Sequence, residues 1–207
     1  MTTKEELQAF FNRENEDRKL IEKYEENILF FNYLLGNGRR EDIEFVTHIK
    51  LFKYVDPLLK KGYFTKALNV LDEIVNDLEK IRGQSELYEM YSEQSTFYKG
   101  VSFGLLKKHR KSNQYFKQLV KKQPTNDNYI GWYKSNKKLH IDKILNRIGI
   151  VALCFVLICI VLDIVKIQDF KVPVVIEAIV WITLLSSILI SFVWKKIIDK
   201  RKYNEML

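Results

Sequence analysis

Cysteine, proline, glycine and histidine are all scarce in this chain of 207 residues, which has two Cys, three Pro, eight Gly and three His. Two cysteines exclude a disulfide scaffold and any four-cysteine zinc site. His48, His109 and His140 are scattered and match no metal-ligand spacing. So little Gly and Pro excludes collagen-like or Pro-rich low-complexity chain. Catalytic signatures are missing as well: there is no G-x-S-x-G, and LLGNGRRED (34–42) has glycines without the GK[ST] ending of a phosphate loop. Gly36 and Gly38 read instead as a helix end and a turn. Two carboxylate clusters, Glu22, Glu25 and Glu26 and then Asp72, Glu73 and Asp77, have Lys or Arg nearby and read as solvated helix faces. No nucleophile and base are spaced to meet. The expectation is a non-enzymatic protein without cofactor or metal.

Long apolar runs are present, and they lie at one end. IGIVALCFVLICIVL (148–162) carries no charge, and VPVVIEAIVWITLLSSILISFVW (172–194) carries only Glu177. A helix that crosses hydrocarbon needs about 20 mostly apolar residues, so spans are expected at about 147–166 and 172–194. The six residues KIQDFK (166–171) between them force an antiparallel hairpin. Lys134, Lys137, Lys138, Lys143 and Arg147 precede the hairpin. Lys195, Lys196, Lys200, Arg201 and Lys202 follow it, against two lysines in the turn. This positive-inside pattern puts both termini in the cytoplasm and the turn outside. MTTKEELQAF has no apolar core of a signal peptide. Cys154 and Cys159 read as small packing residues within the first span. Asp163 and Glu177 lie toward the outer turn, within reach of Lys166 and Lys171, and read as interfacial; a proton or ion path, or a contact between protomers, is the other reading. The expected division is a cytoplasmic helical domain at 1–140, the hairpin at 141–196 and a basic tail at 197–207, in a cell (inner) membrane.

Residues 1–146 show helical periodicity and no sustained alternation, so the fold class is all-α. Expected helices run from Thr2 or Thr3 to about Gly36, then about 41–60 with Pro57 as a kink or early stop, 65–81, 85–107, 112–122, and from 126 into the first span. In EQSTFYKGVSFGLLKKHRKSNQYFKQLVKKQPTN (93–126), Gly100 and Phe103 are spaced as small and large packing residues of one helix. Ser112, Phe116 and Leu119 line the next helix, and Pro124 closes the pair. In KKGYFTKALNVLDEI (60–74), Gly62, Ala67 and Leu71 stand in the same register. These pairs resemble a divergent tetratricopeptide-repeat array over about 41–138. The departures are Thr96 and Leu51 where a large aromatic opens the first helix of the repeat, Lys99 at its next leucine position, a missing closing proline in the earlier pair, and a spacing of 45 residues between Ala67 and Ser112. The alternative is a generic helical bundle. What the resemblance implies is antiparallel helix pairs whose groove binds a protein partner.

Charge is segregated. Residues 1–93 hold 14 Lys and Arg against 19 Asp and Glu, whereas residues 94–146 hold 12 against two. Around Lys121, Lys122, Lys134, Lys137, Lys138, Lys143 and Arg147, the aromatics Tyr129, Trp132 and Tyr133 read as interfacial anchors of a segment drawn to anionic lipid. Nucleic acid is the weaker reading of the same basic and aromatic mixture. The function expected is an integral membrane protein whose cytoplasmic helices bind a protein partner and hold it at the membrane. The alternative is a self-assembling effector or pore subunit, a homo-oligomer gated by its cytoplasmic domain.

Overall fold

The computed structural model describes residues 3–164, which are helical with no strand among them. The chain divides into two compact units, Met1–Lys137 and Lys138–Leu207.

In the first unit the helical stretch expected up to Gly36 is broken twice. Helix α1 (Lys4–Arg13) opens with a capping box: Thr3 Oγ1 accepts the Glu6 N–H at 3.2 Å, and the Glu6 carboxylate accepts the Thr3 N–H at 3.0 Å. It stops at Glu14, whose carboxylate takes the N–H groups of Asn15 and Glu16 and so competes with the helical ladder. Helix α2 (Asp17–Glu26) ends at Asn27, whose side chain donates to the Lys23 carbonyl, and α3 (Ile28–Gly36) follows at once. Each short helix contributes two buried residues to one core: Leu7 and Phe11, Leu20 and Tyr24, Phe31 and Leu34. A single straight helix could not turn all three pairs inward.

Pro57 does not stop the next helix. Helix α4 (Arg40–His48) runs into a π-helical stretch, Ile49–Val55, and then into α5 (Asp56–Lys60) with Pro57 in its first turn. Proline has no N–H and crowds the carbonyl four residues back. The ladder loosens just upstream, where the Asp56 N–H bonds the Leu51 carbonyl. The widened turn buries Ile49, Lys50, Leu51, Tyr54 and Val55 together. Gly62, at φ +85°, closes α5 in the left-handed region that its missing Cβ permits.

Helix α6 (Phe64–Glu79) buries Ala67, Val70, Leu71, Ile74 and Leu78, an i, i+3, i+4, i+7, i+11 stripe. Ala67 and Leu71 thus hold the inward register read from the sequence. Helix α7 (Tyr88–Leu105) packs on α6, and α8 (His109–Lys122) turns back on α7 after three residues. Helix α9 (Asp127–Ile164) begins after a turn that contains Pro124. Phe116, Leu119 and Tyr129 form a second small core, joined to the main one through half-buried Phe97 and Val101. The two helix pairs compared in the sequence differ in build. Helices α7 and α8 are regular and of 18 and 14 residues, whereas the helix preceding α6 is the π-containing run from 40 to 60.

In the second unit, the described residues continue α9. Ile148, Ile150, Val151, Leu153, Leu157 and Ile158 are exposed there, as is Cys154. Among the described residues, no helix is long and apolar enough to cross a membrane. The first expected span, 147–166, runs past the described residues. The second span, Glu177 within it, Cys159's side chain and the basic tail lie outside what is described, and Asp163 is placed only as a residue of α9.

Candidate interaction surface

Small residues bring α8 against α7. A Cβ at Gly100 would stand 2.9 Å from the Phe116 ring, so only glycine permits this approach. Buried Ser112 donates from Oγ to the Gly100 carbonyl at 2.7 Å. One turn on, a Cβ at Gly104 would meet Asn136 Oδ1 at 3.2 Å and Ser112 Oγ at 3.3 Å. Gly100, Ser112, Phe116 and Leu119 therefore occupy the packing positions that their spacing indicated. Phe103 does not. It is half-buried at the edge of the pair, stacked on Tyr115 at 5.6 Å, with Lys111 Nζ 5.5 Å from its centroid.

Side-chain contacts of α9 complete this corner. The Tyr129 hydroxyl donates to Glu93 at 2.7 Å; burial and that carboxylate push its pKa up to about 12. Trp132 stacks on Phe116 at 5.5 Å and 9°. Buried Asn136 donates from Nδ2 to the Trp132 carbonyl, which leaves Oδ1 to accept from His109 Nδ1–H at 3.2 Å. This corrects the reading of Tyr129, Trp132 and Tyr133 as interfacial anchors: Tyr129 is buried, and Trp132 and Tyr133 pack half-buried against the Phe116–Leu119 core. The sequence could not separate the two roles, because an aromatic at i, i+3, i+4 serves either.

What remains outward on α8 is cationic. The helix has five Lys and Arg and no carboxylate. With Ser112, Phe116 and Leu119 inward, the opposite register holds Arg110, Gln114, Lys117 and Lys121, all exposed. Lys107 and Lys108, in the α7–α8 turn, are exposed as well. Lys122 pairs with Glu89 at 2.5 Å; Lys107, Lys108, Arg110, Lys111, Lys117 and Lys121 form no ion pair with a described residue. On α9, Lys134, Lys137, Lys143 and Arg147 are exposed and Lys138 is half-buried.

The main core holds a polar site that the sequence reading missed. Lys50, 3% exposed, places its ammonium 3.2 Å from Glu73 and 3.5 Å from Asp77, and Asp77 also takes Lys80 at 2.7 Å. Asp72, Glu73 and Asp77 are therefore not one solvated cluster. The available signal was register, since Lys50 lies between Val46 and Tyr54 on the buried stripe of its helix. Tyr54 stacks on Tyr24 at 4.0 Å, and its hydroxyl donates to Glu25, which also binds Lys66. Elsewhere, a groove of about 340 Å³ is lined by residues of α1, α4 and α7, among them Gln8, Glu41, Glu44, His48 and Tyr91. Burial, and then the charge of Lys53, lower the His48 pKa, which keeps its imidazole neutral.

No family model, no curated protein and no solved structure matches this chain significantly.

Proposed function

We propose that this chain is a membrane-anchored interaction module. The helical unit of residues 1–137 binds a protein partner in the cytoplasm, and the hydrophobic spans at about 147–166 and 172–194 hold that complex at a cell (inner) membrane. The observation that carries the reading is the division of the chain at 137/138. On one side is a helical unit with its own core. On the other, α9 exposes Ile148, Ile150, Val151, Leu153, Leu157 and Ile158, an apolar surface of the kind that a bilayer covers. The positive-inside distribution of Lys and Arg supports cytoplasmic termini. The tetratricopeptide resemblance belongs to the same proposal and supplies the expectation of a peptide or partner helix as ligand.

The test is fractionation followed by capture. The full chain should sediment with membranes and resist extraction at alkaline pH, with reporters fused to either terminus active only in the cytoplasm. Chain 1–138 should be soluble and retain the same partner as the full chain solubilised in mild detergent. A full chain released by alkali overturns the anchor. A partner captured only by the full chain, or a full chain recovered only as a ring of itself, overturns the adaptor and favours an oligomeric membrane effector.

A further inference from the structure

We propose that the outward face of α8, with the α7–α8 turn, is a docking surface for the anionic headgroups of phospholipids. The proposal rests on the membrane-anchored reading and adds a second, electrostatic contact to it.

Three observations carry it. The first is uncompensated charge. Elsewhere in this unit, lysines commonly find carboxylates: Lys60 with Asp56, Lys66 with Glu25, Lys80 with Asp77, Lys99 with Asp72. Along α8 and its preceding turn, six of seven cations make no ion pair with a described residue, and the helix itself supplies no acid. The second is shape. Arg110, Gln114, Lys117 and Lys121 follow one ridge of a helix, about 16 Å long at 1.5 Å per residue. A convex ridge offers no groove to an extended peptide or an inserted helix. Laterally mobile headgroups adapt to its irregular spacing of charges. The third lies beside the ridge, at the seam of α7 and α8. Phe103 and Tyr115 stack there half-buried, with the Lys111 ammonium over the Phe103 ring, an amphipathic pair of the kind that lies at a lipid–water boundary. Tyr115 stands about 100° or more round α8 from the ridge residues. The tether adds to these. Residues 138–147 alone separate the helical unit from the apolar run, so the face meets the leaflet at high effective concentration. Each cation near an anionic leaflet then strengthens the contact about fivefold.

The experiment uses the full chain in lipid nanodiscs. Cys154 and Cys159 are replaced by Ser, and a fluorophore is attached through Gln114→Cys at the centre of the ridge. Discs contain phosphatidylcholine alone, or 30% phosphatidylglycerol, each with a trace of headgroup-nitroxide lipid as quencher. The expected result is quenching in the phosphatidylglycerol discs that disappears in 0.5 M NaCl. The triple variant Arg110→Glu, Lys117→Glu, Lys121→Glu should lower the bound-to-free ratio by more than about a hundredfold. The charge-keeping variant Arg110→Lys, Lys117→Arg, Lys121→Arg should leave it unchanged, with helix content by circular dichroism equal in all three. Equal quenching with and without phosphatidylglycerol overturns the proposal while leaving the anchor intact. So does binding of a 20-residue polyglutamate or a 20-nucleotide RNA to the ridge in phosphatidylcholine discs without a phosphatidylglycerol effect. A chain that does not co-elute with the discs overturns the anchor and this contact with it.

Discussion

Gly100 tests the packing of α7 on α8 more sharply than any other residue. Alanine in a helix interior is favoured over glycine by about 1 kcal/mol, so Gly100→Ala should stabilise the protein if the site has room. It has none. The added methyl would lie 2.9 Å from two carbons of the Phe116 ring, closer than a carbon–carbon contact allows. The ring cannot yield freely, because it is fully buried, stacked on Trp132 and edge-on to Phe97 at 5.9 Å. Overpacking of this kind costs about 1–3 kcal/mol, and the net effect of Gly100→Ala is a destabilisation of about 1 kcal/mol. Gly131 in α9 provides the control. Nothing lies within 4 Å of the Cβ it would acquire, so Gly131→Ala should gain the propensity term alone.

The quantity to measure is the difference between the two alanine variants, by urea unfolding of the full chain in mild detergent followed at 222 nm. It should be about 1–3 kcal/mol, equivalent to several degrees in Tm for a unit of this size. Phe116→Leu in the Gly100→Ala background should recover part of the loss, a coupling that neither single change shows. Equal stability of Gly100→Ala and Gly131→Ala would refute the close approach and, with it, the helix-pair geometry that places the cationic ridge outward.

Three further outcomes follow from the described unit. Asp77→Ala should cost about 1–3 kcal/mol, because it leaves buried Lys50 with Glu73 as its one carboxylate partner among the described residues, and adding Lys50→Met should restore most of that loss; a double variant no more stable than Asp77→Ala in urea would show that Lys50 is not buried. Ser112→Ala should cost about 1 kcal/mol in the same assay through the lost bond to the Gly100 carbonyl, and an unchanged midpoint would count against that contact. For His48, folding lowers the pKa below the unfolded value of about 6.5. Below pH 6.5 the unfolded chain binds the proton more readily, so the contribution of His48 makes stability fall with pH until the folded pKa is reached and then level off. His48→Gln should flatten this part of the profile between pH 7.5 and 5.5, and an unchanged slope would refute the assignment.

The helices themselves were legible from 3.6-residue periodicity because most of them bury a regular stripe; α6, α7 and α8 begin and end within a few residues of the positions expected. Two features were not legible, for different reasons. The breaks at Glu14 and Asn27 arise because side chains outcompete a local ladder only when the core rewards a turn, and part of that reward comes from Tyr54, distant in sequence, which stacks on Tyr24. The π-helical stretch is a response to Pro57 that depends on burial. An exposed helix would have kinked or stopped, but here the widened turn puts Leu51, Tyr54 and Val55 into the core at once. The interaction surface was half legible. Composition located the basic segment, and inward Ser112, Phe116 and Leu119 indicated which face of α8 is outward. The aromatic partners were exchanged, because Trp132 and Tyr133 turn toward Phe116 while Phe103 and Tyr115, read as repeat packing or passed over, stand at the edge.

That exchange bears on how the charge should be read. Had Tyr129, Trp132 and Tyr133 faced outward, the basic segment and its aromatics would form one continuous strip along the start of α9, and lipid would be its simplest ligand on composition alone. With those rings inward, α9 is tied to α7 and α8 by Tyr129–Glu93, Trp132–Phe116 and Asn136–His109. The densest run of cations without an ion pair to a described residue sits on α8 and its preceding turn, and the outer ridge of that helix carries no apolar residue. The ridge itself has no hydrophobic area to bury against a partner, the Phe103–Tyr115 pair lying to its side, and exposed charge pairs contribute only about 0–1 kcal/mol each in water. A contact made of them alone holds only when many act together at high local concentration. The proposed membrane attachment would satisfy that condition for this ridge, whereas a soluble protein bound through the same residues would have to bring both the acid and the apolar surface that the ridge lacks.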